Sequence, residues 1–578
     1  MKSVPSSRYQ LVTEQKAGGV TYTPKNLADF VAEQISRVSD STAIDGPIRV
    51  LDPAIGDGEL LIALLSRLDR PDEGAIEVHG FETDIRALNI AASRIKQQFP
   101  KVALHLHHGN FLDFVLERMG THDSRGLFEA PSAAPAYDLI IANPPYVRTQ
   151  VMGAERAQLL ARQFGLGGRI DLYYAFIVGM AHVLKPGGVG GIIVSNRFMT
   201  TKSGALVRQA IREHFKVHHV WDLGDTKLFD AAVLPAVLLV EKPRGRERLS
   251  ASFTSIYSCA DEPTRLATDV IEALRYDGVV AIEDGRRFAV TNGTLDISAT
   301  ADAVWRVATV ANDDWLSIVQ ENTSHCFGDI GKIRVGVKTC ADKIFIRNDW
   351  HEMPSGARPE LLRPLTTHHI ARRFRACVAQ RARHILYPHE SVSGQRRAVS
   401  LAEYPRASAY LESHRSALEG RKYVIEGGRQ WFEIWVPQDP SSWGAPKLVF
   451  RDISEKPTFW LDLEGTIVNG DCYWLVSEKP ERTDELWLAA AIANSTFIET
   501  FYDHSFNNKL YAGRRRFITQ YVERFPLPDP RLPSSRNIVA IAKQIYETVG
   551  TSEADALASE LDNLVWKAFG VSPKEVAR

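Results

Sequence analysis

The chain has 578 residues, of which 44% are hydrophobic and 24% charged, and a formal net charge of -1. That length allows three or four domains of ordinary size, and the composition excludes a disordered, collagen-like or disulfide-stapled protein. There is no apolar run of about 18 residues and no cleavable signal segment, so a cytoplasmic protein with no membrane contact is expected.

In chain order, Thr23 and Pro24 precede a helix predicted over 25–36, an ordinary start with Thr as cap and Pro at the first helical position. Residues 48–61 read as a strand ending in Asp52, a turn holding Ala54, Gly56 and Gly58, and the start of an apolar helix predicted over 59–68. Glycines in that turn let a ligand come close to the backbone, and Asp52 can accept from an ammonium group or its water. The next strand, Ile76 to Phe81, ends in Glu82, about 20 residues past the turn, where doubly wound folds place a carboxylate facing ribose hydroxyls. Neither the dinucleotide glycine fingerprint nor a phosphate-cradling Lys-Ser or Lys-Thr is present, so phosphate binding is disfavoured. A nucleoside carrying an amino-acid tail suits the pocket better, and S-adenosylmethionine is the common example.

Residues 120–136, rich in Gly, Ser, Ala and Pro, read as a surface loop. The apolar run Leu139 to Ala142 then has the character of a buried strand, stopped by Asn143-Pro144-Pro145-Tyr146 because neither proline can donate to a ladder. The rigid loop presents two acceptors, Asn143 Oδ1 and the Pro144 carbonyl, together with the aromatic face of Tyr146. That set suits a planar group bearing an NH2, such as adenine. Val183 to Gly188 followed by Val189 to Val194 read as helix end, turn and buried strand; Ser195 and Asn196 close it, and His219 to Leu223, Phe229 and the apolar run Ala236 to Glu241 follow.

Residues 242–250 look like a linker between lobes, and the following half is a texture of short β-rich stretches with Trp431, Trp435, Trp443 and Trp460, mostly expected in the core. Basic residues cluster at Arg372, Arg373, Arg375, Arg381 and Arg383, and again at Arg514, Arg515 and Arg516 after Asn507-Asn508-Lys509; these are candidates for phosphate contact. Amphipathic helices are predicted over 537–549 and 553–569. The five cysteines, Cys259, Cys326, Cys340, Cys377 and Cys472, have no paired spacing, so neither a metal site nor a disulfide framework is expected.

These motifs together resemble, over nearly the full length, the N6-adenine DNA methyltransferases of the gamma arrangement. The second half, through Val335 to Phe345, Leu448 to Asp462, Asn469 to Leu475 and Tyr521 to Pro528, resembles the recognition domain of the TaqI and Eco57I type. The resemblance implies an α/β protein: a Rossmann-like class I methyltransferase sheet over 1–245, an α+β target-recognition domain over 246–530, and a helical C-terminal segment over 531–578. It implies S-adenosylmethionine held by Thr23, Asp52, Ala54, Gly56, Glu82, Phe111 and Asn143. Where the family usually has an Asp that accepts from the cofactor adenine this chain has Asn110, with Asp113 as the other possibility. It further implies that Arg169 to Tyr173 line the pocket, and that Phe229 stacks on a target adenine gripped by Asn143, Pro144 and Tyr146.

The target amino group lies inside a duplex, so the base must rotate out at a cost of a few kcal/mol, which aromatic stacking of about 1–3 kcal/mol per base can offset. The implied partner is double-stranded DNA, with a separate cognate restriction endonuclease that forms no stable complex, and the implied state is a monomer in a bacterial or archaeal cytoplasm. Methylation of RNA adenine or protein glutamine is the nearest rival, since both substrates present a planar NH2. About 50 residues precede Asp52 and more than 330 follow residue 245, which favours a long polymer substrate and leaves no space for a fused nuclease before the first motif. A DNA-binding specificity component with a decayed site is the third reading; Asp52, Gly56, Glu82, Asn143 and Tyr146 are all intact against it.

Overall fold

The computed structural model describes residues 23–39, 44, 46–68, 74–118, 137–146, 159–160, 162–164, 171–229, 234–245, 250–296, 304–377, 382–479, 482–506, 510 and 513–573. The expected loop at 120–136, together with Thr21, Tyr22, Arg169, Ile170, Arg381 and Asn507 to Lys509, lies outside the described residues. The chain divides into two compact units, the first running through Thr309 and the second starting at Val310.

The first unit is built on β1 (Ile48–Asp52), β2 (Ile76–Glu82), β3 (Ala103–His108), β4 (Tyr137–Ala142), β5 (Leu184–Ser195), β6 (Lys216–Asp222) and β7 (Pro235–Glu241), in the order β3-β2-β1-β4-β5-β7-β6. Strands β1 to β5 are parallel, and β7 runs antiparallel to both β5 and β6. All six residues of β4 are buried, as a central parallel strand covered on both faces requires. Its side chains alternate between two cores. Leu139 and Ile141 pack with helices α1 (Lys25–Val38), α2 (Glu59–Leu65) and α3 (Ile85–Gln98), whereas Ile140 and Ala142 pack with α4 (Phe111–Arg118), α5 (Leu172–Val183) and α6 (Ala205–His214). The period of two along a strand thus fixes which helices lie on which face.

The segment Lys185 to Gly188 differs from expectation. It is not a free turn before the strand but a register irregularity within β5, where Tyr137 pairs with Leu184 and Leu139 already pairs with Val189.

The division between units does not fall at 242–250, of which residues 246–249 lie outside the described residues. The next strand, β8 (Ser252–Ser258), pairs in parallel with β6, and the same sheet continues through β11 (Arg287–Asp296), β10 (Gly278–Ile282) and β9 (Arg265–Ala267), with β12 (Arg306–Ala308) on β11. The first unit therefore extends about 60 residues beyond the boundary expected at 245, because nonlocal pairing with β6 captures the next strands.

The second unit has its own core. A four-stranded sheet of Ile333–Val335, Cys472–Leu475, Lys447–Arg451 and Phe459–Asp462 carries the buried Trp460 and Trp474, and Trp443 packs against Trp474 at 4.8 Å. The terminal helices, Pro533–Thr548 and Ser552–Ala568, are part of this unit rather than a separate segment. Lys543 bonds Asp484 on helix Thr483–Ala493, and Phe569 stacks on Phe497 at 4.2 Å. Among the described residues no helix is long and apolar enough to cross a membrane.

Candidate active site

The carboxyl ends of β1 to β4 enclose a cavity of about 260 Å³. It lies beside the point where strand order reverses between β1 and β4, the position at which open parallel sheets bind ligands.

The turn after β1 forms one wall. Gly56 and Gly58 have φ of +54° and +88°, left-handed values that strain any residue with a side chain, and a Cβ on Gly58 would lie 3.2 Å from the Ala91 Cβ of α3. Asp52 is fully buried one residue before the lining formed by Pro53 and Ala54. Its Oδ1 accepts from the Ala54 N–H at 3.0 Å, while Oδ2 has no partner among the described residues. Burial, reinforced by the nearby charges of Glu82 and Asp57, pushes this carboxyl up to about 8 despite the opposing Ala54 bond. A buried acceptor with no donor is costly unless something completes it. An ammonium group, reached directly or through one water, has the chemistry to complete it.

Glu82 lines the cavity and also ties two loops together. Its Oε2 accepts from the Gly56 N–H at 3.0 Å, and its Oε1 accepts from the N–H groups of Thr83 and Asp84 at 2.8 and 2.9 Å. A carboxylate offers about four acceptor positions, so these three bonds leave one on Oε2 for a hydroxyl. Asn110 lines the cavity and spends Oδ1 on the Leu112 N–H at 2.9 Å, at the start of α4. Asp113 lies in the first turn of that helix and does not line the cavity, so of the two candidates only Asn110 reaches it. Phe111 is there as well, with Phe81 edge-on at 5.6 Å and Phe176 at 5.7 Å.

At the end of β4, Asn143 is held from both sides. Its Nδ2 donates to Thr23 Oγ at 3.0 Å, and its Oδ1 accepts from the Tyr146 hydroxyl at 2.8 Å. Burial pushes that hydroxyl far above its ordinary range, so it remains a donor at every physiological pH. Tyr146 in turn meets the edge of Tyr173 at 6.1 Å.

Of the residues expected at the site, Thr23, Ala54, Gly56, Glu82, Asn110, Phe111, Asn143, Pro144 and Tyr146 share this one cavity. Phe229 does not. Its ring is buried in the core cluster that includes Leu223, Val237 and Leu239, so the stacking role expected of it is corrected to a packing role. Sequence reasoning missed Phe81, Thr83 and Phe176, whereas Leu172 comes from the stretch Arg169 to Tyr173 that was expected to line the pocket. Leu172 and Phe176 are four apart on α5 and so share a face, but only tertiary packing shows that the face meets a cavity.

The basic candidates of the second unit also divide. Arg515 makes two bonds of 2.8 Å to Asp503, Arg516 reaches Asp452 at 3.2 Å, and Arg373 reaches Glu499 at 3.3 Å and the Pro457 carbonyl at 3.1 Å. These three hold the fold. Arg372, Arg375 and Arg514 are exposed, Arg375 lying 4.9 Å over the Tyr546 ring.

Comparison with known proteins agrees with this division of labour. Residues 72–229 match the Eco57I restriction-modification methylase family, and residues 401–527 match the TaqI-like C-terminal specificity domain. The chain is 37% identical to the type II methyltransferase M.BanIII of Aneurinibacillus aneurinilyticus, over 97% of this chain and 98% of that one. It is 25% identical to M.PaeR7I of Pseudomonas aeruginosa over 89% of this chain and 86% of that protein. Its fold is similar to that of the type IIL restriction-modification enzyme MmeI, solved with DNA, with a TM-score of 0.58 and 13% identity over 96% of this chain and 73% of that one.

Sheet order and cavity are those of a class I methyltransferase, here joined to a specificity unit. The chain belongs to the type II methyltransferases of restriction-modification systems. S-adenosylmethionine is the methyl donor, and a buried acceptor on Asp52, a free acceptor position on Glu82 and the aromatic rings of Phe81 and Phe111 are groups that suit its amino-acid, ribose and adenine parts.

Proposed function

We propose that this chain methylates N6 of adenine in duplex DNA, acting on a base rotated out of the helix. The observation that carries the reading is the placement of Asn143, Pro144 and Tyr146 on the same cavity as Glu82 and Asn110. The donor, when bound, supplies an electrophilic methyl group. Everything else is supplied by the chain. Asn143 Oδ1 and the Pro144 carbonyl accept the two amino protons, which raises electron density on N6 and sets its direction of attack. The Tyr146 hydroxyl and Thr23 fix which end of the Asn143 amide faces the base. An amide oxygen has two lone pairs, so accepting from Tyr146 is compatible with accepting from the amino group. Pro144 is buried and its neighbour Pro145 rigid, so alignment costs little on binding.

Arg372, Arg375 and Arg514 are proposed to contact phosphates, with base reading left to the second unit. A separate cognate endonuclease, a monomeric state and a cytoplasmic setting complete the proposal. Long-read mapping of N6-methyladenine in DNA from cells expressing the chain tests it. Methyl groups on cytosine, on RNA or on protein, with none on DNA adenine, would refute it.

Asp52 gives a pH dependence. Its carboxyl, held at about 8, is largely protonated at pH 6 and must lose that proton to pair with a cationic amino group. Donor binding is therefore expected to tighten by up to roughly tenfold per pH unit from about 6 to about 8. The gain ends near pH 8, where an α-amino group, with an ordinary pKa of about 7.7–8.0, loses its own charge. Calorimetry from pH 6 to 9 should show this rise and turnover, and Asp52→Asn should flatten it.

A further inference from the structure

The strands added to the methyltransferase sheet converge on one loop. Residues 223–229 follow β6, and Leu234 precedes β7, at the same end of the sheet as Asn143, because β4, β5 and β6 run in one direction. At the start of that loop Asp222 is fully buried, and its Oδ2 accepts from the Tyr257 hydroxyl of β8 at 2.7 Å. Its Oδ1 accepts from Asn196 Nδ2 at 2.9 Å and from the Gly224 N–H at 3.2 Å. Asn196 Nδ2 also lies 3.2 Å from the Tyr257 hydroxyl, and the Asn196 N–H donates to the Leu234 carbonyl at 2.9 Å, so one residue holds both ends of the loop.

Three more contacts come from the added strands. The Ser258 N–H donates to Asp225 Oδ1 at 2.7 Å, Arg286 donates to the Thr226 carbonyl at 2.6 Å, and Gly224, with φ of +46°, lies so close to β8 that a Cβ would sit 2.1 Å from the Ile256 carbonyl oxygen. The network also reaches the catalytic loop. The Tyr173 hydroxyl lies 3.4 Å from the Ser195 carbonyl, next to Asn196, and the Tyr173 ring meets Tyr146.

We infer that Tyr257, acting through Asp222 and Asn196, is a positioning residue for the methyl-transfer reaction, and that strands β8 to β11 exist to lock the target-base side of the site. Hydrogen bonds to a charged group are worth more than neutral ones, and this one is shielded from water. Its loss releases the loop without touching the donor half of the cavity, which is built from β1 to β3. The inference rests on the adenine reading above.

The test uses the full chain, its mapped recognition duplex and the same duplex with 2-aminopurine at the target position. Tyr257→Phe keeps the ring and removes the hydroxyl. Single-turnover methyl transfer is expected to fall roughly tenfold, with a reduced 2-aminopurine signal and unchanged donor affinity, while the thermal midpoint drops because Asp222 Oδ2 is left buried without its partner. Arg286→Ala, a surface change that frees the Thr226 carbonyl, should move the same two readouts by a smaller factor. Asp222→Asn, which keeps an acceptor toward Asn196 and Gly224 and can donate to the Tyr257 oxygen, should retain most of the rate. If Tyr257→Phe and Arg286→Ala both transfer methyl at the wild-type rate with the wild-type fluorescence, the inference is overturned. If the wild-type chain itself binds donor but methylates no adenine, the parent reading fails instead.

Discussion

Replacing Asn143 by Ala is expected to lower methyl transfer by about 10²–10³-fold, the usual cost of deleting one fixed group that stabilises charge as it develops. Donor affinity should change little, because the proposed contacts to its ribose and adenine, Glu82, Phe81 and Asn110, come from β2 and from the segment after β3 and not from the Asn143 loop. The variant also removes the acceptor for Tyr146 and the donor to Thr23, two bonds that hold the loop. Asn143→Asp separates these effects, since a carboxylate keeps the acceptor but cannot donate to Thr23. Its rate should fall between those of wild type and Asn143→Ala. Single-turnover transfer with saturating donor reads the chemistry directly, and an alanine variant with near-wild-type turnover would remove Asn143 from the mechanism.

Glu82 carries the second large effect. Glu82→Ala strips the acceptor from three backbone N–H groups, of which that of Gly56 is partly buried. An unpaired buried donor costs about 1–3 kcal/mol, so the turn after β1 should loosen and stability should drop by that order. Donor affinity is expected to fall roughly 100-fold, because a lost charged hydrogen bond adds to a loosened cradle. Glu82→Gln should be almost as damaging. Whichever way its amide lies, the NH2 group faces either Gly56 or Thr83 and Asp84, donor against donor. Urea midpoints and calorimetry measure the two effects separately; wild-type affinity in the glutamine variant would show that the carboxylate is not needed.

The rigid loop after β4 and the glycine turn after β1 were legible in the sequence because their signals are local. An apolar run cut by two prolines gives a buried strand with a rigid tip, and a strand, an acid and two glycines give a βα turn. Phe81 and Phe176 were not legible, since nothing in a strand or helix pattern tells which aromatic meets a cavity. Phe229 was misplaced for the converse reason: its position in a family pattern does not fix which way the ring turns. The basic runs misled because the acids that neutralise Arg373, Arg515 and Arg516 are Glu499, Asp503 and Asp452, and the Arg373 and Arg516 partners are remote in sequence. The boundary expected at 245 failed on the pairing of β8 with β6, since a short polar segment looks the same whether it joins two domains or two strands of one sheet.

Each compact unit encloses its own apolar interior, with Val337, Trp460 and Trp474 in one and Leu139, Ile141 and Val237 in the other. A lineage can therefore rewrite what is read without re-solving how the methyl group is delivered. Substitutions that repack the second core act first on the packing of that unit, with the methyl-delivering core as a separate cluster of residues.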